Sequence, residues 1–131
     1  MRSAFKIVLM VLSLIPLTFA IIGLLGGAAG ANGGVETSAA LDNQFRYLSA
    51  YYLSLFFLIW YVLADIDTRG TVLRLLIVAI FLGGLARLYS YLNVGTPEPQ
   101  QMAGMALELG SPILALWHRI ITHNPKYSEA V

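Results

Sequence analysis

The sequence contains no cysteine and few charged residues. Without cysteine, the chain can form no disulfide, thiolate metal site or iron–sulfur cluster, and it has no thiol nucleophile. Only 11% of the 131 residues are charged, against about a quarter in soluble domains, and the net charge is +1. The chain therefore lacks the basic surface that phosphate backbones require, and we predict that it binds no nucleic acid.

Long apolar stretches dominate what is present. Hydrophobic residues make up 58% of the chain, and its mean hydropathy is +0.74. A membrane helix needs about 20 apolar residues to cross about 30 Å of hydrocarbon. Four stretches of roughly that length are Ile7–Leu25, Phe45–Ala64, Val72–Leu92 and Met102–Ile121. None alternates apolar with polar residues as a strand would, so we predict one all-α domain, residues 1–131, folded as a four-helix transmembrane bundle.

The Lys and Arg residues near the ends of these spans indicate their orientation. Six fall on one side of the membrane, namely Arg2, Lys6, Arg69, Arg74, Arg119 and Lys126. Only Arg46 and Arg87 fall toward the other. Because cytoplasmic loops carry the excess of Lys and Arg, both termini are predicted to be cytoplasmic. The Gly- and Ala-rich connection over residues 26–44 is then external.

The remaining connections are predicted to be short. The links Asp65–Gly70 and Asn93–Thr96 make the second, third and fourth helices consecutive antiparallel neighbours. Thr96, Pro97 and Glu98 read as the N-cap, the first-turn proline and a dipole-favoured acid of the fourth helix. Pro125 closes that helix.

Glu108 is the one acid inside a predicted span, and an ionisable group there needs a partner or water. It lies about 9 Å beyond Met102, and Arg87 lies roughly 8 Å before Leu92 on the antiparallel neighbour. The two side chains therefore enter the membrane to a comparable depth, and we predict an ion pair between them. Two interpretations stay open: a structural staple between the helices, or part of a ligand or proton site.

Small and helix-breaking residues lie close to this pair. Pro112 lacks the N–H that would bond the Glu108 carbonyl, so that carbonyl is predicted to be free unless Ser111 satisfies it. Alternatively, Pro112 only bends the helix. Gly83 and Gly84 are predicted to have a structural role, because small residues let a neighbouring helix approach closely.

Polar residues also collect at the start of the second predicted helix. Asn43, Tyr47 and Tyr51 recur at helical spacing and form one stripe. An aromatic belt at the lipid headgroups would account for tyrosines there without a ligand, but this stripe continues inward. Arg46 can pair with Asp42 four residues earlier, or reach toward the predicted ion pair or a phosphate.

No familiar catalytic or metal-binding pattern is present in the sequence. His118 and His123 are five residues apart, which does not place them on one helix face as i, i+4 ligands would be. There is no phosphate-binding glycine loop, no Ser/His/Asp set and no pair of axial histidines for haem. We therefore predict no metal site and assign no catalytic residue.

Several of these elements occur together in one known family. The segments Leu-Asp-Asn-Gln-Phe-Arg-Tyr (residues 41–47) and Gly-Gly-Leu-Ala-Arg (residues 83–87), with Glu108-Leu109, resemble the bacterial membrane proteins called domain of unknown function 4345. The resemblance covers nearly the whole chain. It implies a four-helix membrane bundle in the bacterial inner membrane, similar in outline to DoxX-like proteins, some of which serve quinone-linked oxidoreductases. Arg46, Arg87 and Glu108 match the family's polar positions.

The leading functional hypothesis is a non-enzymatic module that binds a lipid, an amphiphile or a protein partner in the external half of the membrane. Its ligand-binding residues would be Arg46, Tyr47, Tyr51, Arg87 and Glu108. One alternative is a quinone-linked oxidoreductase subunit, for which quinone would be the cofactor. Another is a small proton-coupled transporter that uses Glu108. Expected partners are membrane lipid, a hydrophobic small molecule, or a second copy or larger membrane complex.

Overall fold

The computed structural model describes residues 1–123, which form helices joined by short connections and contain no strand. The helices are α1 (Arg2–Ala31), α2 (Ala39–Ala64), α3 (Gly70–Val94), α4 (Pro99–Gly110) and α5 (Pro112–His123). The predicted all-α fold is therefore confirmed over this range. Pro125 and Lys126, which the sequence places after the last helix, lie outside the described residues.

Three helices, α1, α2 and α3, are each long and apolar enough to cross a membrane. Many of their large apolar side chains are exposed, among them Leu14, Ile22, Leu58, Leu75 and Leu82. Extended apolar surface of this kind is rare on soluble monomers and marks a membrane or protein interface. These helices thus indicate a membrane protein.

The predicted fourth span, Met102–Ile121, is helical but divided at Ser111 into α4 and α5, next to the proline that was predicted to bend it. Pro112 has no N–H to continue the hydrogen-bond ladder. Ser111 keeps helical torsion angles (φ −55°, ψ −30°), and its backbone N donates to the Glu108 carbonyl over 3.2 Å. That carbonyl is therefore satisfied by Ser111, through the backbone N–H of that residue. Each of the resulting helices has 12 residues, or about 18 Å, which alone is shorter than the hydrocarbon.

The first connection is much shorter than predicted. Helix α1 extends, with a kink at Gly27, through the Gly- and Ala-rich stretch to Ala31, and α2 already begins at Ala39. Ser38 caps α2, since its Oγ accepts a hydrogen bond from Leu41 N over 3.2 Å. The connection therefore covers residues 32–38 rather than 26–44.

The start of α4 also differs from the prediction. The helix begins at Pro99, not near Thr96 and Pro97, and Glu98 is its N-cap. A residue that precedes proline is driven out of the α region, and Glu98 accordingly has extended torsion angles (φ −59°, ψ 153°). Pro99, rather than the predicted Pro97, occupies the first helical position, where its missing N–H costs nothing.

Residues Lys6–Asp65 form one compact unit, in which α1 packs antiparallel to α2. The contacts run in opposite chain directions, because Trp60 lies beside Ser13 whereas Ser49 lies beside Gly23. The Trp60 indole N–H donates to the Ser13 hydroxyl over 3.2 Å, and Ser13 is fully buried. The hydroxyl thus receives a polar partner inside an otherwise apolar contact. Buried apolar residues of this unit are Leu9, Ala20, Ala28, Ile59, Val62 and Leu63.

Of the described residues, 1–5 and 66–123 form the second compact unit, in which α3 packs antiparallel to α4 and α5. His118 Nε2 lies 2.6 Å from the Ile66 carbonyl oxygen, and Phe5 is fully buried with its ring centroid 5.3 Å from that of Trp117. Because a carbonyl only accepts, His118 Nε2 must carry the proton. His118 therefore holds the chain just before α3.

Candidate functional site

The polar centre of the second unit is an ion pair between α3 and α4. Arg87 Nε lies 2.9 Å from Glu108 Oε2, and the two side chains are 36% and 20% exposed. The prediction that antiparallel geometry pairs these residues is confirmed. An ion pair has no net charge, which lowers the cost of placing two ionised groups in an apolar helical segment.

Gly84 allows the two helices to approach closely beside this pair. A Cβ at Gly84 would lie 2.9 Å from Glu108 Cβ and 3.0 Å from the Leu109 backbone N. A backbone atom cannot turn aside as the end of a side chain can, so any side chain at Gly84 would push α3 and α4 apart. A Cβ at the exposed Gly83 would lie 4.0 Å from Glu108 Oε2, which is an ordinary van der Waals contact. The close approach predicted for both glycines therefore falls on Gly84.

In the first unit, α1 is broken at Gly27, where φ is 62° and ψ is −165°. This combination is essentially restricted to glycine. In a continuous helix, Ala28 N would donate to the Leu24 carbonyl. Instead, Ala28 N donates to Asp42 Oδ1 over 2.9 Å, and Arg46 Nη1 donates to the Leu24 carbonyl. Two side chains from α2 thus replace the hydrogen bond that the break removes.

Asp42 and Arg46 are held to each other as well. Arg46 Nε lies 2.8 Å from Asp42 Oδ2, which confirms the predicted i, i+4 pair. Together with the contacts to Ala28 and Leu24, the pair forms what we call the Asp42–Arg46 brace. The sequence indicated the pair by its spacing, but not that it binds the backbone of α1. Arg46 thus has a structural role in this brace, and its ligand role stays a prediction.

Tyr47 and Tyr51 also form a pair on α2. Their hydroxyl oxygens lie 2.6 Å apart, their ring centroids are 5.1 Å apart in an edge-to-face arrangement, and each residue is 54% exposed. Asn43, one turn earlier, is exposed too. The predicted polar stripe is therefore an open face of α2, with phenol groups that can both donate and accept hydrogen bonds.

The structure brings the predicted site residues together in three pairs: Arg87 with Glu108, Tyr47 with Tyr51, and Arg46 with Asp42, which was not among the predicted ligand-binding residues. Ligand binding by the five residues remains a prediction. Among residues 1–123, no group of three or more His, Cys, Asp or Glu side chains is placed to hold a metal ion.

One comparison with known proteins returned a match. The model of the family described as Domain of unknown function (DUF4345) matches residues 4–118, which include all five predicted ligand-binding residues. No curated protein matches the chain, and no solved structure does.

Proposed function

Because the chain belongs to the DUF4345 family, whose description states no activity, we propose a function from its own polar site: a small membrane protein, not an enzyme, that binds the headgroup of an amphiphile at Arg87 and Glu108. The proposal combines two features. The first is three helices fit to span a membrane, and the second is one ion pair between apolar helices.

The observation that carries the proposal is the exposure of this ion pair. Arg87 remains 36% exposed and Glu108 20% exposed although they contact each other. A pair that served only as a staple would be most stable with both groups enclosed by protein, since charge facing hydrocarbon is costly. The exposure belongs to the rest of the two side chains, because Glu108 Oε2 itself is buried. An amphiphile's polar group placed against the exposed part of the Arg87 side chain would lower that cost.

The two side chains define the chemistry of the ligand. A guanidinium presents five donors in a planar fork, which suits a phosphate, carboxylate or carbonyl oxygen. The Glu108 carboxylate accepts hydrogen bonds and can orient the guanidinium or bind a hydroxyl or ammonium group. The proposed ligand is therefore a lipid-soluble molecule whose headgroup carries oxygen acceptors. Phospholipids and isoprenoid quinones both fit that description.

On α2, in the first unit, we propose Tyr47 and Tyr51 as ligand contacts in their own right, apart from the Arg87–Glu108 pair. Their exposed phenol groups can bind a headgroup oxygen, and aromatic side chains are common at the membrane interface. Arg46 is a weaker candidate, because its Nε and Nη1 already bind Asp42 and the Leu24 carbonyl. We therefore expect substitution of the tyrosines, rather than of Arg46, to change binding without changing the fold.

We further propose that the protein lies in the bacterial inner membrane with both termini in the cytoplasm. The support is the distribution of Lys and Arg, six against two. This orientation places Arg87 and Glu108 in the external half of the membrane. The chain contains no cysteine, so single-cysteine variants at Asn93 and Thr68 can be labelled with an impermeant maleimide. Outside labelling of intact cells at Thr68 but not at Asn93 would reverse the proposed orientation.

Mass spectrometry of molecules that co-purify in native membrane discs tests the proposal. The variant to compare is Arg87→Lys, which keeps a cation beside Glu108 but loses the planar fork. We expect it to retain the fold and to carry about five- to tenfold less amphiphile, which corresponds to roughly 1–1.4 kcal/mol of binding free energy. The matched control is Arg119→Lys on the exposed face of α5, which should carry the wild-type amount.

The identity of the co-purified molecule separates the competing functions. Phospholipid that depends on Arg87 supports the proposal in its simplest form. Stoichiometric isoprenoid quinone would point to the oxidoreductase subunit, and proton flux that depends on Glu108 would point to the transporter. A stoichiometric protein with no amphiphile would identify the pair as a partner-docking site. Equal amphiphile content in the wild type and Arg87→Lys would contradict binding at this pair.

A further inference from the structure

A groove lies between α5 and the first half of α3, before Arg87 in the chain. Its volume is about 270 Å³, and its lining residues are Arg74, Ile77, Val78, Phe81, Pro112 and Ala115. Arg74 and Arg87 are 13 positions apart along one helix, or about 20 Å. Arg74 is thus separate from the Arg87–Glu108 pair, whereas the other end of the groove, at Phe81 and Pro112, lies within about 9 Å of it along the helices.

The lining of this groove is apolar except for one cation at its end. Arg74 lies one turn after the start of α3 at Gly70, and its Nη2 donates to the Thr71 hydroxyl over 3.2 Å. This contact draws the guanidinium back toward the beginning of the helix. Since α3 is long and apolar enough to span a membrane, its beginning lies near the lipid headgroups, and the apolar lining residues that follow lie at acyl-chain depth.

The interruption at Pro112 helps to form the groove. The α5 side of the groove is lined by the small side chains of Pro112 and Ala115, which leave space between the helices. The α3 side is lined by Ile77, Val78 and Phe81. A volume of about 270 Å³ is just below the roughly 300–1,000 Å³ of typical small-molecule pockets. It suits a segment of a flexible chain better than a complete rigid ligand.

We propose that this groove is a second lipid site, which holds one acyl chain of an anionic phospholipid while Arg74 binds the phosphate. The charge of Arg74 at the headgroup end of an apolar channel is complementary to this ligand. A basic side chain near a membrane surface contributes roughly 1 kcal/mol toward anionic lipid, which corresponds to about a fivefold preference. The proposal does not depend on what binds at Arg87 and Glu108.

Native mass spectrometry of the full chain, loaded in turn with phosphatidylglycerol and with phosphatidylcholine, tests this site. Wild type should retain phosphatidylglycerol about fivefold more than phosphatidylcholine. Arg74→Gln should lose that preference, and Ala115→Leu, which fills the groove, should retain less of both lipids. Arg119→Gln and Ala106→Leu are matched controls on exposed faces of α5 and α4, and both should behave as wild type.

The outcomes separate this proposal from the one at Arg87. Loss of the phosphatidylglycerol preference in Arg74→Gln and lower lipid retention in Ala115→Leu, with an unchanged ligand content of the Arg87 site, support a second site. An unchanged headgroup preference in Arg74→Gln overturns the proposal, as does full retention in Ala115→Leu. Thermal unfolding of each variant checks that a loss of lipid does not reflect a loss of fold.

Discussion

Replacing Arg87 with leucine is expected to lower the free energy of unfolding by about 2–3 kcal/mol, whereas Glu108→Gln should lower it by about 1 kcal/mol. Breaking a fully buried ion pair from one side costs about 3–5 kcal/mol, and the expected value is smaller because both side chains are partly exposed. Unfolding in mixed micelles of mild and denaturing detergent would measure both values.

The asymmetry has a physical cause in the length and chemistry of the two side chains. Without Arg87, the short Glu108 side chain leaves an acid in an apolar segment, where it must take up a proton or recruit water. With glutamine at 108, a neutral amide still accepts from the guanidinium, and the long arginine can extend toward the interface. Equal losses in the two variants would contradict the pairing argument. Arg119→Leu, on the exposed face of α5, is the control.

Gly27→Ala is expected to destabilise the first unit by about 2–3 kcal/mol. The backbone conformation at Gly27 (φ 62°, ψ −165°) is nearly closed to other residues, and imposing it on alanine costs about 1–3 kcal/mol. In addition, the new Cβ would overlap Asp42 Oδ1 and lie 2.5 Å from Arg46 Nη2. The Asp42–Arg46 brace would have to move, and the backbone groups of Ala28 and Leu24 would lose their partners.

The adjacent glycine is the matched control. A Cβ at Gly26 meets nothing within 4 Å, and Gly26 has no positive φ. Gly26→Ala should therefore be neutral or stabilise the helix by up to about 1 kcal/mol, since alanine is the better helix former. The same detergent titration compares the two variants. Similar stability of both would mean that the break in α1 is not held as described.

The residues that could be predicted from the sequence are those governed by length and depth. Apolar runs of about 20 residues predicted α1, α2 and α3, because the thickness of the hydrocarbon sets the length of a spanning helix. The pairing of Arg87 with Glu108 followed because a short connection makes neighbours antiparallel, so that equal distances from the turn mean equal depth. Both arguments use only counting along the chain.

The features that the sequence did not predict depend on tertiary contacts. Gly27 lies in a Gly-rich stretch typical of a loop, yet α1 continues past it because Asp42 and Arg46 bind the groups that the break exposes. The structural partner of His118 is a backbone carbonyl in a connection 52 residues earlier in the chain, which no side-chain pattern records. At Ser111 the sequence predicted only a bend. The interruption involves a hydrogen bond from Ser111 N to the Glu108 carbonyl three residues earlier, and this local adjustment of the backbone is not recorded in the sequence.

Exchanging the two partners, as Arg87→Glu with Glu108→Arg, tests most directly whether the ion pair binds a ligand or only joins two helices. Opposite charges still meet across α3 and α4 in this variant, so most of the stability lost in Arg87→Leu should return. The guanidinium then projects from α4, and its donors no longer meet a headgroup in the original position. Quantitative mass spectrometry of the folded double variant should show at least about fivefold less co-purified amphiphile than in wild type. A folded double variant with the wild-type amphiphile content would contradict the proposed function and leave the pair as a structural staple.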